Sequence, residues 1–193
     1  MEAREYKILC SVLPDVDIED FEMKCDIYAP LRQFAPEFSQ ACYDEMMSKT
    51  NVALGDYTAK KNCLQITAKE RDTMITTIQY LHRKKEGYKP ETMHLAGNIA
   101  DRYLLKLAEC GKRAPPMAVL ATVAILIAAK LEQPISPSFN RMIKLLPKSQ
   151  QLQVEKQDLI DLEEQIMKTL DFDFAYASPI SFLERFQRLL SVD

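Results

Sequence analysis

The stretch Pro115–Glu132, with the sequence PPMAVLATVAILIAAKLE, decides the fold of this chain. It is long enough for a helix and carries apolar residues on every side. Only burial among other helices removes that much apolar surface from water, so we expect a central core helix. Pro115 and Pro116 suit its first turn, where a backbone N–H lacks a partner, and Pro134 blocks its continuation. Lys130 therefore emerges where this helix leaves the core.

The composition predicts an all-α protein with one sizeable core. The 193 residues are 47% hydrophobic and include only 4 glycines, and helix formers outnumber the alternating valine and threonine typical of sheets. A formal net charge of −3 with mixed signs favours neither nucleic acid nor an anionic membrane as a partner. The chain starts without an apolar signal core, and the central apolar run is shorter than the ~20 residues that span a bilayer. We therefore expect a protein of the cytoplasm or nucleus.

The residues that usually carry catalysis show no recognisable pattern. There is no Gly-rich phosphate loop, no serine, histidine and acid set, and no Glu-x-x-His or His-Glu-x-x-His pair. The cysteines and histidines are widely spaced, which predicts neither a zinc site nor a disulfide framework. We therefore expect no enzyme activity, no catalytic residue, no metal and no cofactor. The widely spaced cysteines are Cys10, Cys25, Cys42, Cys63 and Cys110, and the histidines are His82 and His94.

Local signals predict the helices around the central one. Thr67 and Glu70 fit a capping box, in which the hydroxyl and the carboxylate satisfy exposed N–H groups at a helix start. Gly87 and Gly111 suit left-handed caps after the first and second main helices, and Pro90 suits the start of the second. The expected helices cover about 36–49, 68–86, 90–110, 115–132, a short segment after 137 that Pro147 ends, 155–170, and a final helix that Ser178-Pro179 opens.

Four charged residues lie among apolar neighbours on these helices. Because a charge near a core costs several kcal/mol unless an opposite charge meets it, we expect ion pairs. The natural pairs are Arg71 with Asp101, and Lys130 with Glu163. A purely structural role for the second pair, tying two helices together at the surface, would contribute about 0 to 1 kcal/mol.

Several segments, in order, resemble the cyclin box, most closely its mitotic A- and B-type pattern. Gln65-Ile-Thr67 with Arg71 is similar to the family's lead-in to its first box helix. The later segments are similar to Glu-Thr-Leu-His-Leu-Ala, Ile-Asp-Arg-Phe-Leu, Ala-Ser-Lys-Phe-Glu and the exit of the fifth helix. They are Glu91–Ala96, Ile99–Leu104, Ala128–Glu132 and Leu162–Phe174.

The resemblance implies a single five-helix cyclin box over 65–175, an N-terminal arm over 1–64 with a helix near 36–49, and a C-terminal helix over 176–193. Arg71 and Asp101 would form a buried structural pair. Lys130 and Glu163 would hydrogen-bond main chain of a cyclin-dependent kinase beside its C-helix. An adjoining apolar pocket would receive a side chain of that helix. The implied partner-binding residues are Lys130, Glu163, Ile127, Leu131, Glu132, Met167, Phe174 and Ala175.

Two departures from the family pattern keep a second hypothesis open. Thr77 stands where mitotic cyclins place a tryptophan, so their peptide-docking groove is doubtful here and Met117 is its one plausible apolar contributor. Because the sequence ends after what would be the first helix of a second cyclin fold, we expect that final helix to fold back, dimerise or dock on another protein. The first hypothesis is a regulatory subunit that activates a kinase. The alternative is a non-activating scaffold of a cytoskeletal or transcriptional assembly.

Overall fold

The computed structural model describes residues 39–50, 66–84, 87–135, 137–151 and 154–190, and within these ranges it contains helices and no strand. The all-α prediction is therefore confirmed. The chain divides into two compact units, one over 51–180 and one that combines the first 50 residues with residues from 181 onward. The predicted arm over 1–64 lies outside the described residues except for its helix, and the predicted domain limits stay predictions. The helices are α1 Ser39–Thr50, α2 Ala68–Lys84, α3 Pro90–Glu109, α4 Met117–Glu132, α5 Phe139–Leu145, α6 Lys148–Gln151, α7 Lys156–Thr169 and α8 Pro179–Leu190.

Helix α4 is the centre of the larger unit, as its apolar sequence predicts. Every residue from Val119 to Ala129 is buried, and α2, α3, α5 and α7 all pack against this helix. Burying a large aliphatic side chain contributes roughly 1.5–3 kcal/mol, and α4 buries six of them between Val119 and Ile127. The helix begins at Met117, two residues later than the sequence suggests. Pro116 is the N-cap, with an extended ψ of 133°, and its carbonyl accepts the first helical bond from Leu120.

The predicted caps of α2 and α3 form as hydrogen-bonded structures. The Thr67 N–H donates to Glu70 Oε2 at 2.8 Å, and the Glu70 N–H donates to Thr67 Oγ1 at 3.2 Å. This reciprocal arrangement holds the pKa of Glu70 below its usual value, because the carboxylate accepts the Thr67 N–H and hydroxyl. Gly111, at φ 64°, ends α3, and the N–H of Lys112 donates to the Leu107 carbonyl as in a Schellman motif.

The segment from α5 to α7 sets the side of α4 on which the candidate site lies. Ser138 caps α5, which ends at Leu145 ahead of Pro147 as expected. A further single-turn helix, α6, follows Pro147 and was not expected from the sequence. Glu155 and Asp158 form a second reciprocal capping box at the start of α7. Helix α7 then packs its buried residues Leu159, Leu162 and Ile166 toward the core.

Helices α1 and α8 contribute an aromatic contact to the smaller unit. The rings of Tyr43 and Phe182 meet edge to face, with centroids 6.2 Å apart and planes at 81°. Leu183, next to Phe182, is 53% exposed. The final helix thus begins at Pro179 as expected, and one of its aromatic residues packs on α1. The side chains of Phe186 and Leu189, farther along this helix, lie outside the described residues.

Candidate functional site

The candidate site is built on an ion pair between the last turn of α4 and the middle of α7. Lys130 Nζ lies 2.6 Å from Glu163 Oε1 and 2.8 Å from Oε2. The Lys130 side chain is 38% exposed and that of Glu163 is 13% exposed. The pair forms because α4 leaves the core at Ala129, which brings the next residue to the surface against α7.

The surroundings of Lys130 hold its ammonium in one place. The Phe139 ring centroid lies 5.3 Å from Nζ, which is within cation–π range. A cation in the last turn of α4 also complements the negative end of the helix dipole. An ammonium has three donors, and two are directed at Glu163, so one remains for an acceptor outside the chain. Glu163 likewise keeps acceptor capacity for a donor of a partner.

The apolar residues named from the sequence divide between the surface and the core. Leu131 is 53% exposed, Ala175 is exposed, and Met167 and Phe174 are half-buried. Glu132 is also half-buried. These residues, with Lys130 and Glu163, are called the α4–α7 corner below.

Ile127 was expected to line the apolar pocket, but its side chain is buried. It is 1% exposed and belongs to the hydrophobic core cluster. The reason is its position one turn before Leu131, where α4 is still enclosed by its neighbours. Ile127 therefore supports the corner from within the core and does not line its surface.

Two exposed apolar side chains near the ends of the same helices were not named as site residues from the sequence. Ile135 is 82% exposed in the loop after α4, and Phe172 is 66% exposed in the turn after α7. Gln133 ties the first loop to α3, since its Nε2 donates to Thr92 Oγ1 at 2.5 Å. Two features of the sequence could have pointed to these residues. Ile135 lies between two prolines, and aspartate alternates with phenylalanine over 171–174.

The second expected ion pair also forms, and it joins α2 to α3. Arg71 Nε and Nη2 donate to the two carboxylate oxygens of Asp101, at 3.1 and 2.7 Å. Although the resemblance implies a buried pair, the Arg71 side chain is 40% exposed, and that of Asp101 is 10% exposed. Nearby, burial and, to a lesser extent, the Asp101 carboxylate raise the pKa of Tyr176.

The face of α2 that would carry a peptide-docking groove is polar. The Thr77 side chain is almost completely buried, and its hydroxyl donates to the Thr73 carbonyl at 2.8 Å. Met117 does line a cleft of about 600 Å³, beside prolines 115 and 116 and the charged side chains of Glu70 and Arg113. Ile66 and Ala114 also line the cleft, which therefore combines one charge of each sign with mostly small apolar side chains.

Two other kinds of site, a metal centre and a membrane-spanning helix, do not occur in the described ranges. No cluster of three or more histidine, cysteine, aspartate or glutamate side chains in these ranges is arranged to hold a metal ion. No helix in them combines the length and apolar character that crossing a membrane requires.

Comparison with known proteins gives a family match and several distant relatives. The family model "Cyclin, N-terminal domain" matches residues 41–175. The chain is 25% identical over 179 residues to G2/mitotic-specific cyclin-B3 of Gallus gallus, covering 91% of the chain and 40% of the relative. It is 27% identical over 179 residues to G2/mitotic-specific cyclin-B of Dictyostelium discoideum, covering 92% and 39%.

A third relative comes from yeast, and the chain matches only part of the length of each of the three relatives. G2/mitotic-specific cyclin-4 of Saccharomyces cerevisiae is 29% identical over 128 residues, which cover 66% of the chain and 26% of the relative. The matches thus span two fifths or less of the length of these relatives. No solved structure matches the chain significantly.

Proposed function

The chain belongs to the cyclin family, and from that premise we propose that it is a regulatory subunit that binds a cyclin-dependent kinase through the α4–α7 corner and activates it. Cyclins as a family are regulatory subunits and not enzymes. The two mitotic relatives that cover nine tenths of this chain support a role in cell-cycle control.

The observation that carries the proposal is the Lys130–Glu163 pair beside exposed apolar surface. The pair retains donor and acceptor capacity for main-chain groups of a partner, and Leu131 next to it is 53% exposed. Polar groups that fix orientation beside an apolar anchor are typical of the energetic centre of a protein interface. Because Glu163 is already largely desolvated, binding has little further cost of removing water from it.

Activation would follow from a difference in affinity between two states of the kinase. A subunit that binds the active arrangement of the C-helix more tightly shifts the kinase population toward it. The chain then needs no catalytic group of its own, since phosphoryl transfer uses the groups of the kinase. The size of the activation depends on how much of the corner's binding energy is absent in the inactive state.

The test compares two adjacent glutamates on α7. Glu163→Gln keeps the shape of the side chain and removes the charge that faces Lys130. Glu164→Gln makes the same chemical change in an exposed pair with Lys168. With a purified mitotic cyclin-dependent kinase, we expect Glu163→Gln to weaken binding by about 2 kcal/mol, roughly thirtyfold, and to reduce activation. Glu164→Gln should behave as wild type.

The outcomes also decide between the two hypotheses. Equal binding by wild type and Glu163→Gln would refute the assigned interface. Tight binding without stimulation of kinase activity would refute activation and favour the scaffold alternative, which the polar α2 face around Thr77 motivates. No binding by wild type would refute the regulatory proposal for this kinase class.

A further inference from the structure

The turn after α7 holds its backbone in an unusual conformation. Asp171 and Phe172 both have positive φ, 51° and 56°. The Phe172 N–H donates to the Met167 carbonyl at 2.9 Å, and the Asp173 N–H donates to the Leu170 carbonyl at 2.9 Å. The left-handed region costs conformational energy for a residue with a side chain, more for phenylalanine than for aspartate. Such a turn persists only where surrounding contacts hold it.

The carboxylate of Asp173 supplies two of those contacts. Its Oδ1 accepts the Ala175 N–H at 3.0 Å, within the turn itself. Its Oδ2 accepts from Nη2 of Arg102 on α3 at 3.3 Å. The two residues are 71 positions apart in the sequence, and the Arg102 side chain is only 17% exposed. The turn is therefore tied to α3 through a guanidinium that packing already holds in place.

The Arg102–Asp173 bond matters because the turn that it holds carries residues of the candidate docking surface. Phe172 is 66% exposed on it, Phe174 packs partly against the core, and Ala175 is exposed. The last two belong to the α4–α7 corner. If the turn samples other conformations, the fraction of molecules with the corner in its binding arrangement falls, and the apparent affinity falls by the same factor.

We propose that Arg102 is a positioning residue that fixes this turn, through Asp173, in the conformation that the kinase partner binds. The proposal rests on the proposed function, and it assigns to α3 a part in docking that does not require contact with the partner. The neighbouring residue Asp101 ties the same helix to α2 through Arg71. Helix α3 is therefore bonded both to α2 and to the turn after α7.

The first experiment needs no partner and measures the turn directly. In the isolated chain, Arg102→Ala should speed amide hydrogen exchange at Phe172 and Asp173 by roughly three- to fivefold, the upper range for a partly exposed ion pair. Lys106→Ala is the matched control, because Lys106 pairs with Glu109 on α3 itself, at 3.0 Å. It should leave exchange in the turn unchanged. Unchanged exchange in Arg102→Ala would overturn the proposal.

The second experiment connects the turn to docking. Arg102→Ala should weaken binding of a purified mitotic cyclin-dependent kinase by roughly three- to fivefold, and Lys106→Ala should not. Adding Asp171→Gly to Arg102→Ala lowers the energy of the left-handed conformation and should recover part of the affinity. A merely structural role would give a fall in melting temperature with no change in affinity, and no recovery by glycine.

The remaining outcomes separate the inference from the function on which it depends. Loss of kinase binding in Glu163→Gln with normal binding in Arg102→Ala would leave the proposed function standing and refute the role of Arg102. Absence of kinase binding by the wild-type chain would refute the proposed function and, with it, the docking role of Arg102.

Discussion

Alanine substitutions at Ile127 and Leu131 test where the core ends and the surface begins on α4. The two residues lie one helical turn apart, yet Ile127 is 1% exposed and Leu131 is 53% exposed. Ile127→Ala removes buried groups from a close-packed region and leaves a cavity, so we expect it to lower the free energy of unfolding by about 3 kcal/mol. At roughly 2–4 °C per kcal/mol for a chain of this size, the melting temperature should fall by roughly 6–12 °C.

Leu131→Ala should behave differently in both stability and binding. About half of its surface is already in water, so the expected loss of stability is about 1 kcal/mol or less. At a temperature where both variants are folded, Leu131→Ala should weaken kinase binding more than Ile127→Ala does. Thermal unfolding by circular dichroism and urea titration measure the first effect, and a binding titration measures the second. Equal falls in melting temperature, or an unchanged melting temperature for Ile127→Ala, would refute the assignment of Ile127 to the core.

Four further predictions concern helix ends and glycines. Thr67→Ala should cost about 1 kcal/mol in urea unfolding, because it removes the hydroxyl that caps α2. Since the folded pKa of Glu70 is lowered from 4.5, its stabilising effect is present above that pH and is lost as the pH falls through the folded pKa. In Glu70→Gln, the free energy of unfolding, measured by urea titration between pH 3 and 6, should lack this pH-dependent contribution. A pH profile equal to that of the wild-type chain would contradict the prediction. Gly111→Ala should cost about 1 kcal/mol because φ is 64°. Gly97→Ala should instead stabilise α3 by up to about 1 kcal/mol, since the added Cβ makes an ordinary 3.7 Å contact with Ile75, and a loss of stability there would be contrary evidence.

The sequence predicted most of the helices because their signals are local. An apolar run on all sides requires a buried α4, and the Thr67 and Glu70 spacing requires a helix start. The two ion pairs could also be predicted from the sequence, because isolated charges among apolar residues need opposite charges nearby. Helix α6 could not be predicted, since a single turn after Pro147 is too short to show periodicity.

The parts of the corner that could not be predicted depend on how far neighbouring helices enclose α4. Helical spacing places Ile127 and Leu131 on one face, and only the packed structure shows that the core ends between them. The Arg102–Asp173 bond joins exposed and half-buried charges 71 positions apart, which no local pattern indicates. The positive φ of Phe172 is similarly invisible, because it depends on the bonds that the turn makes after folding.

Hydrogen exchange of the chain, alone and bound to a mitotic cyclin-dependent kinase, tests most directly whether the α4–α7 corner is the docking surface. We expect slower exchange on binding in two segments, residues 129–133 at the end of α4 and residues 170–175 after α7. Glu163→Gln should reduce this protection, and Glu164→Gln should not. Protection confined to α2 or α8, with both corner segments unchanged in the bound chain, would contradict the account.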